Sequence, residues 1–336
     1  MGVSMVARVS ATPILPPGPM PPPTSLGSRS LRHRAVQLKQ ALTSGARGPR
    51  LVLALAAVYL IWSSTYLGMK VALETFGPMT LGALRFILAG IILYGVHMLR
   101  GGHRPTRAEL MAALPVGILL FLAGNGFIAI AQKDVTSGVA SIVASTTPLW
   151  AALLGPFFGE RARLAEWLGI GLGTLGVVVL AVNAELGGDP VMIAVLLLAP
   201  VGWALGSILS RKMPQAPGFA GPSLQMLAGG FGMAVAALLA GEALPASVSV
   251  ETWAIFAYLV VFGSLIGFTA FTWLLKNTRP SLALSYSYVN PVIAVFIGAL
   301  LAGEAVHGTT IVATVILGVA ILVVIRAAVA RRNASR

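Results

Sequence analysis

Ten apolar stretches, separated by short polar gaps, fill the chain between residues 51 and 330. They run over 51–70, 79–99, 110–131, 136–159, 164–183, 190–210, 219–241, 252–275, 281–303 and 308–329. A helix needs roughly 20 apolar residues to cross the hydrocarbon core of a bilayer, so each stretch predicts one spanning helix. No gap is long enough to hold a soluble domain. The pattern predicts an all-α polytopic membrane protein whose chemistry, if any, takes place within its helices.

The gaps alternate in charge. Those after the second, fourth, sixth and eighth stretches hold Arg100, Arg104 and Arg107; Arg161 and Arg163; Arg211 and Lys212; Lys276 and Arg279. The intervening gaps hold mainly acids: Glu74; Asp134 beside Lys133; Glu185 and Asp189; Glu242 and Glu251; Glu304. Lys and Arg in short loops stay on the cytoplasmic side, which predicts a multi-pass protein of the cytoplasmic membrane with both termini inside. The bias toward Ala, Gly, Leu, Val and Arg suggests a GC-rich bacterial genome, and hence a bacterial inner membrane.

An internal match joins the fourth stretch to the ninth. Thr146-Thr147-Pro148-Leu149 leads through Gly155 to Gly159-Glu160, and Val289-Asn290-Pro291-Val292 leads through Gly298 to Gly303-Glu304. Trp62 and Trp203 match more weakly in the first and sixth. The organisation expected is a basic, Pro-rich, disordered tail over 1–50, five-helix units over 51–183 and 190–326, and a basic tail over 327–336. Five crossings is an odd number, so the second unit enters the membrane from the opposite side. Such inverted repeats are the usual construction of secondary transporters, with the site at the repeat interface.

Composition changes the picture little. Hydrophobic residues are 57% of the chain and charged residues 10%, too few charges to cover a soluble surface. The net charge of +13 is read as topology and contact with anionic headgroups, with the bilayer and not nucleic acid as partner. The chain has no cysteine and only four scattered histidines, which gives no disulfide, no metal site and no expected cofactor. No G-x-x-x-x-G-K-[ST] sequence offers direct ATP drive. An intramembrane enzyme would need paired carboxylates, a His cluster or a Ser/His pair within the helices, and none is present.

Arg85 is the one charge well inside a stretch, which marks it as functional by default. Its fork could clamp a carboxylate or phosphate in two places. Counted from the start of its stretch it lies about 8 Å deep at 1.5 Å per residue, so it could instead snorkel outward or pair with Glu74. Pro148 and Pro291 lie mid-stretch at matching positions, where each would kink its helix and act as a gate. Ser145, Thr146 and Thr147 flank the first, and Tyr286, Tyr288 and Asn290 the second, either as a polar pocket or to satisfy the kinked backbone. Trp62, Ser63, Thr65, Trp203 and Ser207 would add an aromatic and hydroxyl lining, while Tyr66 fits an interfacial anchor. Asn125 is read as a ligand contact or an interhelical hydrogen bond. The substrate-binding set is thus Trp62, Ser63, Thr65, Arg85, Asn125, Thr146, Trp203, Tyr286 and Asn290.

The Trp62-Ser63-Ser64-Thr65 stretch, Leu84-Arg85-Phe86, Gly124-Asn125-Gly126 and the two Pro…Gly-Glu modules together resemble the EamA-type branch of the drug/metabolite transporter superfamily. The resemblance covers about 51–326. Such proteins usually carry Gly after the first Trp, where this chain has Ser63, so helix packing there must differ. The resemblance implies ten helices, two repeats, a central cavity and export or exchange of small metabolites. The expected function is a secondary transporter, acting as a monomer with a homodimer as the alternative, that moves an amino acid or similar metabolite by alternating access. A channel is the main rival reading.

Overall fold

The computed structural model describes residues 47–135, 137–160, 162, 164–181, 189–302, 308, 311–313, 315–320 and 322–323. Most of the 1–50 tail, Arg161, Arg163, Glu185, Glu304 and the 327–336 tail lie outside the described residues. Among the described residues all regular structure is helical. Seven helices are long and apolar enough to cross a membrane: α1 (Gly48–Ala72), α2 (Pro78–Leu99), α3 (Arg107–Ala131), α4 (Val139–Phe158), α6 (Pro190–Lys212), α7 (Ala220–Leu239) and α8 (Val250–Asn277). Three shorter ones occupy the other predicted stretches: α5 (Leu164–Ala181), α9 (Tyr286–Ala302) and α10 (Ile311–Ala320). The protein is an all-α polytopic membrane protein.

Local chemistry sets the helix ends. Thr106 and Glu109 form a reciprocal capping box at the start of α3. The Asp189 side chain accepts from the Val191 N–H ahead of α6, with Pro190 in the first turn. Ser249 does the same for the Thr252 N–H at the start of α8. At α2 the cap comes from across the molecule. The Glu242 carboxylate accepts from the Met79 N–H at 3.1 Å and from the Thr80 N–H and hydroxyl, both at 2.8 Å.

Two features were not predicted. The middle of α3 (Ile118–Gly126) and the middle of α8 (Leu259–Phe268) are π-helical, a rare form that occurs frequently at functional sites. The two helices are third in their respective halves. The prolines also differ from expectation. The first does follow a break: α4 opens at Ser145–Thr146 and Pro148 sits in the first turn of Thr147–Leu154. Pro291, however, lies inside the uninterrupted α9. The break in that copy comes earlier, between Pro280–Ala283 and Tyr286.

The helices of the two halves interlock. α2 lies along α7; α1 contacts α8 and α9, while α6 contacts α3 and α4; α2 also meets α8, and α7 meets α3. Every contact in this set has its counterpart when the halves are exchanged, which is two-fold pseudosymmetry about the α2–α7 crossing. Outward faces keep large apolar side chains exposed, among them Leu53, Leu60, Ile91, Phe231 and Leu238, as a lipid-facing surface requires.

Candidate functional site

The pseudosymmetry is tightest around the two tryptophans. Trp62 on α1 lies against Gly267 of α8, where a Cβ would stand 2.5 Å from the indole nitrogen. Trp203 on α6 lies against Gly124 of α3, where a Cβ would stand 2.6 Å from the ring. Only glycine lets a helix backbone and an indole approach so closely. The two rings meet edge to face at 5.4 Å, and Trp62 also meets Phe271 and Tyr286 at 5.1 and 4.8 Å. The Trp62 Nε1–H donates to the Gly263 carbonyl at 3.0 Å.

Counting eight residues onward from each tryptophan and each glycine reaches a second matched pair. Lys70 follows Trp62 on α1 and Gln132 follows Gly124 past α3; Arg211 follows Trp203 on α6 and Leu275 follows Gly267 on α8. The Lys70 ammonium donates to the Gln132 carbonyl at 2.6 Å and reaches that of Val135 at 3.4 Å. The Arg211 Nη1 donates to the carbonyls of Leu275 and, at 2.7 Å, of Thr278. Val135 and Thr278 are again equivalent, each three residues further on. A cation at the end of the first helix of each half therefore grips the C-terminal carbonyls of that half's own third helix, where the helix dipole favours positive charge.

Between these two contacts lies a cavity of about 50 Å³, enough for a few waters and too small for a metabolite. Of the predicted binding residues, Trp62, Thr65, Arg85, Asn125, Trp203, Tyr286 and Asn290 line it. Ser63 and Thr146 do not. Ser63 is buried behind the wall, where its hydroxyl donates to the Asn290 side-chain oxygen at 3.0 Å and so orients that amide. Thr146 turns back to the Val143 carbonyl at 2.8 Å. Ser145 and Thr147 likewise bond the carbonyls of Ile142 and Ala144, so the hydroxyls turn back onto the last helical turn before the α4 break.

The cavity also takes in residues outside the predicted set. Thr147 lines it, and the repeat carried that signal, since Thr147 and Asn290 each immediately precede the matched proline. Tyr66 lines it too, where an interfacial position was expected. Phe121 and Phe268 come from the two π-helical segments. Pro148 lines a different cavity of about 270 Å³, together with Glu160, Glu166, Arg211 and Arg279. There Arg279 forms an ion pair with the buried Glu166, its Nη2 donating to Oε2 at 2.5 Å, and Glu160 meets Arg211 at 3.3 Å.

Arg85 does not snorkel outward and does not pair with Glu74. Its side chain is 5% exposed, and its Nε–H donates to the Ser264 hydroxyl at 2.8 Å. Ser264 in turn donates to the Leu259 carbonyl five residues back in the π-helical segment of α8. The guanidinium carbon stands 4.8 Å from the centre of the Phe86 ring. Among the described residues no carboxylate pairs with it. The depth read from α2 alone misses this, because α8 crosses α2 and covers the arginine from the side.

The EamA-like transporter family matches the chain twice, over residues 50–182 and 190–326. The chain belongs to the EamA-like transporter family. It is similar to the inner membrane transporter YedA of Escherichia coli K12, with 37% identity over 252 residues, or 75% of this chain and 82% of YedA. It is also similar to the S-adenosylmethionine/S-adenosylhomocysteine transporter of Chlamydia trachomatis serovar D, with 27% identity covering 73% of this chain and 79% of that protein. A crystal structure of a protein 22% identical in sequence shares its fold, with a TM-score of 0.67 over 82% of this chain and 96% of that one. This EamA protein is a membrane transporter.

Proposed function

We propose that the protein is a secondary carrier that moves a small organic metabolite, such as an amino acid or a similar carboxylate-bearing compound, across the bacterial inner membrane by alternating access. The reading rests above all on the matched closures. Lys70 with the end of α3 and Arg211 with the end of α8 are equivalent under exchange of the halves, and they bracket one aromatic cavity. Releasing one closure while keeping the other would open that cavity to one side only, which is what a carrier requires. As the two five-helix units, 51–183 and 190–326, rock against each other, the first helix of one unit would also swing away from that unit's own third helix, because each closure lies within a single unit. The break at Ser145–Thr146 would give α4 a bend near the cavity, with Pro148 and Pro291 as the gate residues. Relatives named as inner membrane transporters support the location.

The test is counterflow in liposomes containing the purified full-length chain. A carrier loaded on one side with a transported solute speeds the entry of labelled solute from the other, and it saturates. Saturable or unsaturable flux without that trans-stimulation would make the protein a channel instead.

A further inference from the structure

The cavity has an unbalanced charge. Among its lining residues Arg85 is the single ionised side chain, and no Asp, Glu, Lys or His faces it. Ser264 takes only the Nε–H. The two terminal nitrogens have no hydrogen-bond partner among the described residues, and Nη2 stands 2.6 Å from where a Cβ on Gly263 would be. Gly263 is itself part of the cavity wall, so its missing side chain lets the fork lie against the α8 backbone at the edge of the cavity. A guanidinium buried without a counterion is costly, and an incoming anion would remove that cost by a two-pronged, charge-assisted contact.

The rest of the wall is neutral. Trp62, Trp203, Phe121, Phe268 and Tyr286 present flat apolar surface, suited to a ring or a branched body. Asn125 and Thr147 add uncharged hydrogen-bonding groups. Among the described lining residues no carboxylate could neutralise an ammonium, whose partners there would be amide oxygens and aromatic faces alone, and at low dielectric the Arg85 charge would repel it.

Resting on the carrier reading, we propose that the cargo is a net-anionic monocarboxylate with an aromatic or branched apolar body, its carboxylate held by the Arg85 fork and its body laid against the faces of Trp62 and Trp203 once the cavity has opened to one side. A zwitterion of the same shape would be disfavoured. This narrows the cargo away from amino acids.

Three compounds that share one ring and chain separate the possibilities: 3-phenylpropionate as anion, phenylalanine as zwitterion and phenethylamine as cation. Binding to the purified full-length protein is followed by the intrinsic fluorescence of the cavity tryptophans. The expected result is at least ten-fold tighter binding of 3-phenylpropionate than of either other compound. Arg85→Gln should erase the preference and Arg85→Lys should keep it; the wild-type ranking decides even if the Gln variant fails to assemble. Phenylalanine bound as tightly as the anion, or no saturable response to 3-phenylpropionate, overturns the anionic class. Counterflow then distinguishes the two readings. If 3-phenylpropionate binds with the expected preference but shows no trans-stimulation, the carrier reading fails and the anion site stands. If phenylalanine exchanges and 3-phenylpropionate does not, the carrier stands and the anionic cargo falls.

Discussion

A single methyl group is enough to test the tryptophan contacts. Alanine at Gly124 or Gly267 would place its Cβ 2.6 or 2.5 Å from an indole ring, whereas one at Gly171 would meet nothing within 4 Å. Overpacking of this kind costs about 1–3 kcal/mol. Gly124→Ala and Gly267→Ala should each lower the thermal unfolding temperature in detergent, and Gly171→Ala should leave it unchanged. Equal stability of all three variants would mean that the rings are not seated as described. Arg85→Ala addresses function: transport should be lost while the protein still inserts and purifies, and wild-type flux would return Arg85 to an anchoring role. At this scale the sequence named seven of the sixteen residues that line the cavity, Arg85 and the two asparagines because an ionised or amide side chain within an apolar stretch is conspicuous. It pointed to Thr146 and not Thr147 because both are hydroxyl residues beside a proline, and only the register with Asn290 tells them apart. It could not point to Ser264 as the partner of Arg85, since a serine on an apolar helix has no distinguishing pattern until α2 and α8 are brought together.

Helix ends carry the next prediction. Lys70 and Arg211 each hold the carbonyls that terminate the third helix of their half, and a hydrogen bond to a charged group contributes about 1.5–3 kcal/mol. Removing one should shift the balance between the two open forms by about ten-fold or more. With a single cysteine introduced at Asn125 in the cavity, Lys70→Ala should speed its modification by an impermeant thiol reagent added outside, and Arg211→Ala should slow it. Changes in the same direction would show that the two contacts are simple helix caps. Hydropathy located the seven spanning helices found among the described residues and the places of three shorter ones, since bilayer thickness fixes the length of a crossing. The π-helical segments of α3 and α8 escaped it, because the hydrogen-bond step along a helix leaves no trace in apolar periodicity. The ion pair of Glu166 with Arg279 escaped for a related reason. Each charge sits near a helix end, where a solvated side chain is the ordinary reading, and only the packing of the α8–α9 connection over α5 buries them together.

The whole molecule depends on a count of crossings. Between the gap after α2 and the gap after α7 the chain runs through α3, α4, α5, α6 and α7; if each crosses, the number is odd, and that parity would turn the second half upside down relative to the first. The interlocking of α1 with α8 and of α6 with α3 is what two halves related by a two-fold axis produce, and an odd number of crossings per half would place that axis in the membrane plane. The chain has no cysteine, so introduced thiols report without background. Cysteines replacing Ala243 and Arg104, both at exposed positions, should react from opposite sides: Ala243→Cys in intact cells, Arg104→Cys only after permeabilisation. Reversed reactivity would exchange inside for outside, moving the Lys70 closure to the cytoplasmic face while leaving the symmetry intact, since that relation does not depend on which face is which. Reaction of both from the same side is the more damaging result. It would require an even number of crossings between them, and then neither the matched tryptophans nor the matched closures could be related by inversion, whatever their spacing along the chain.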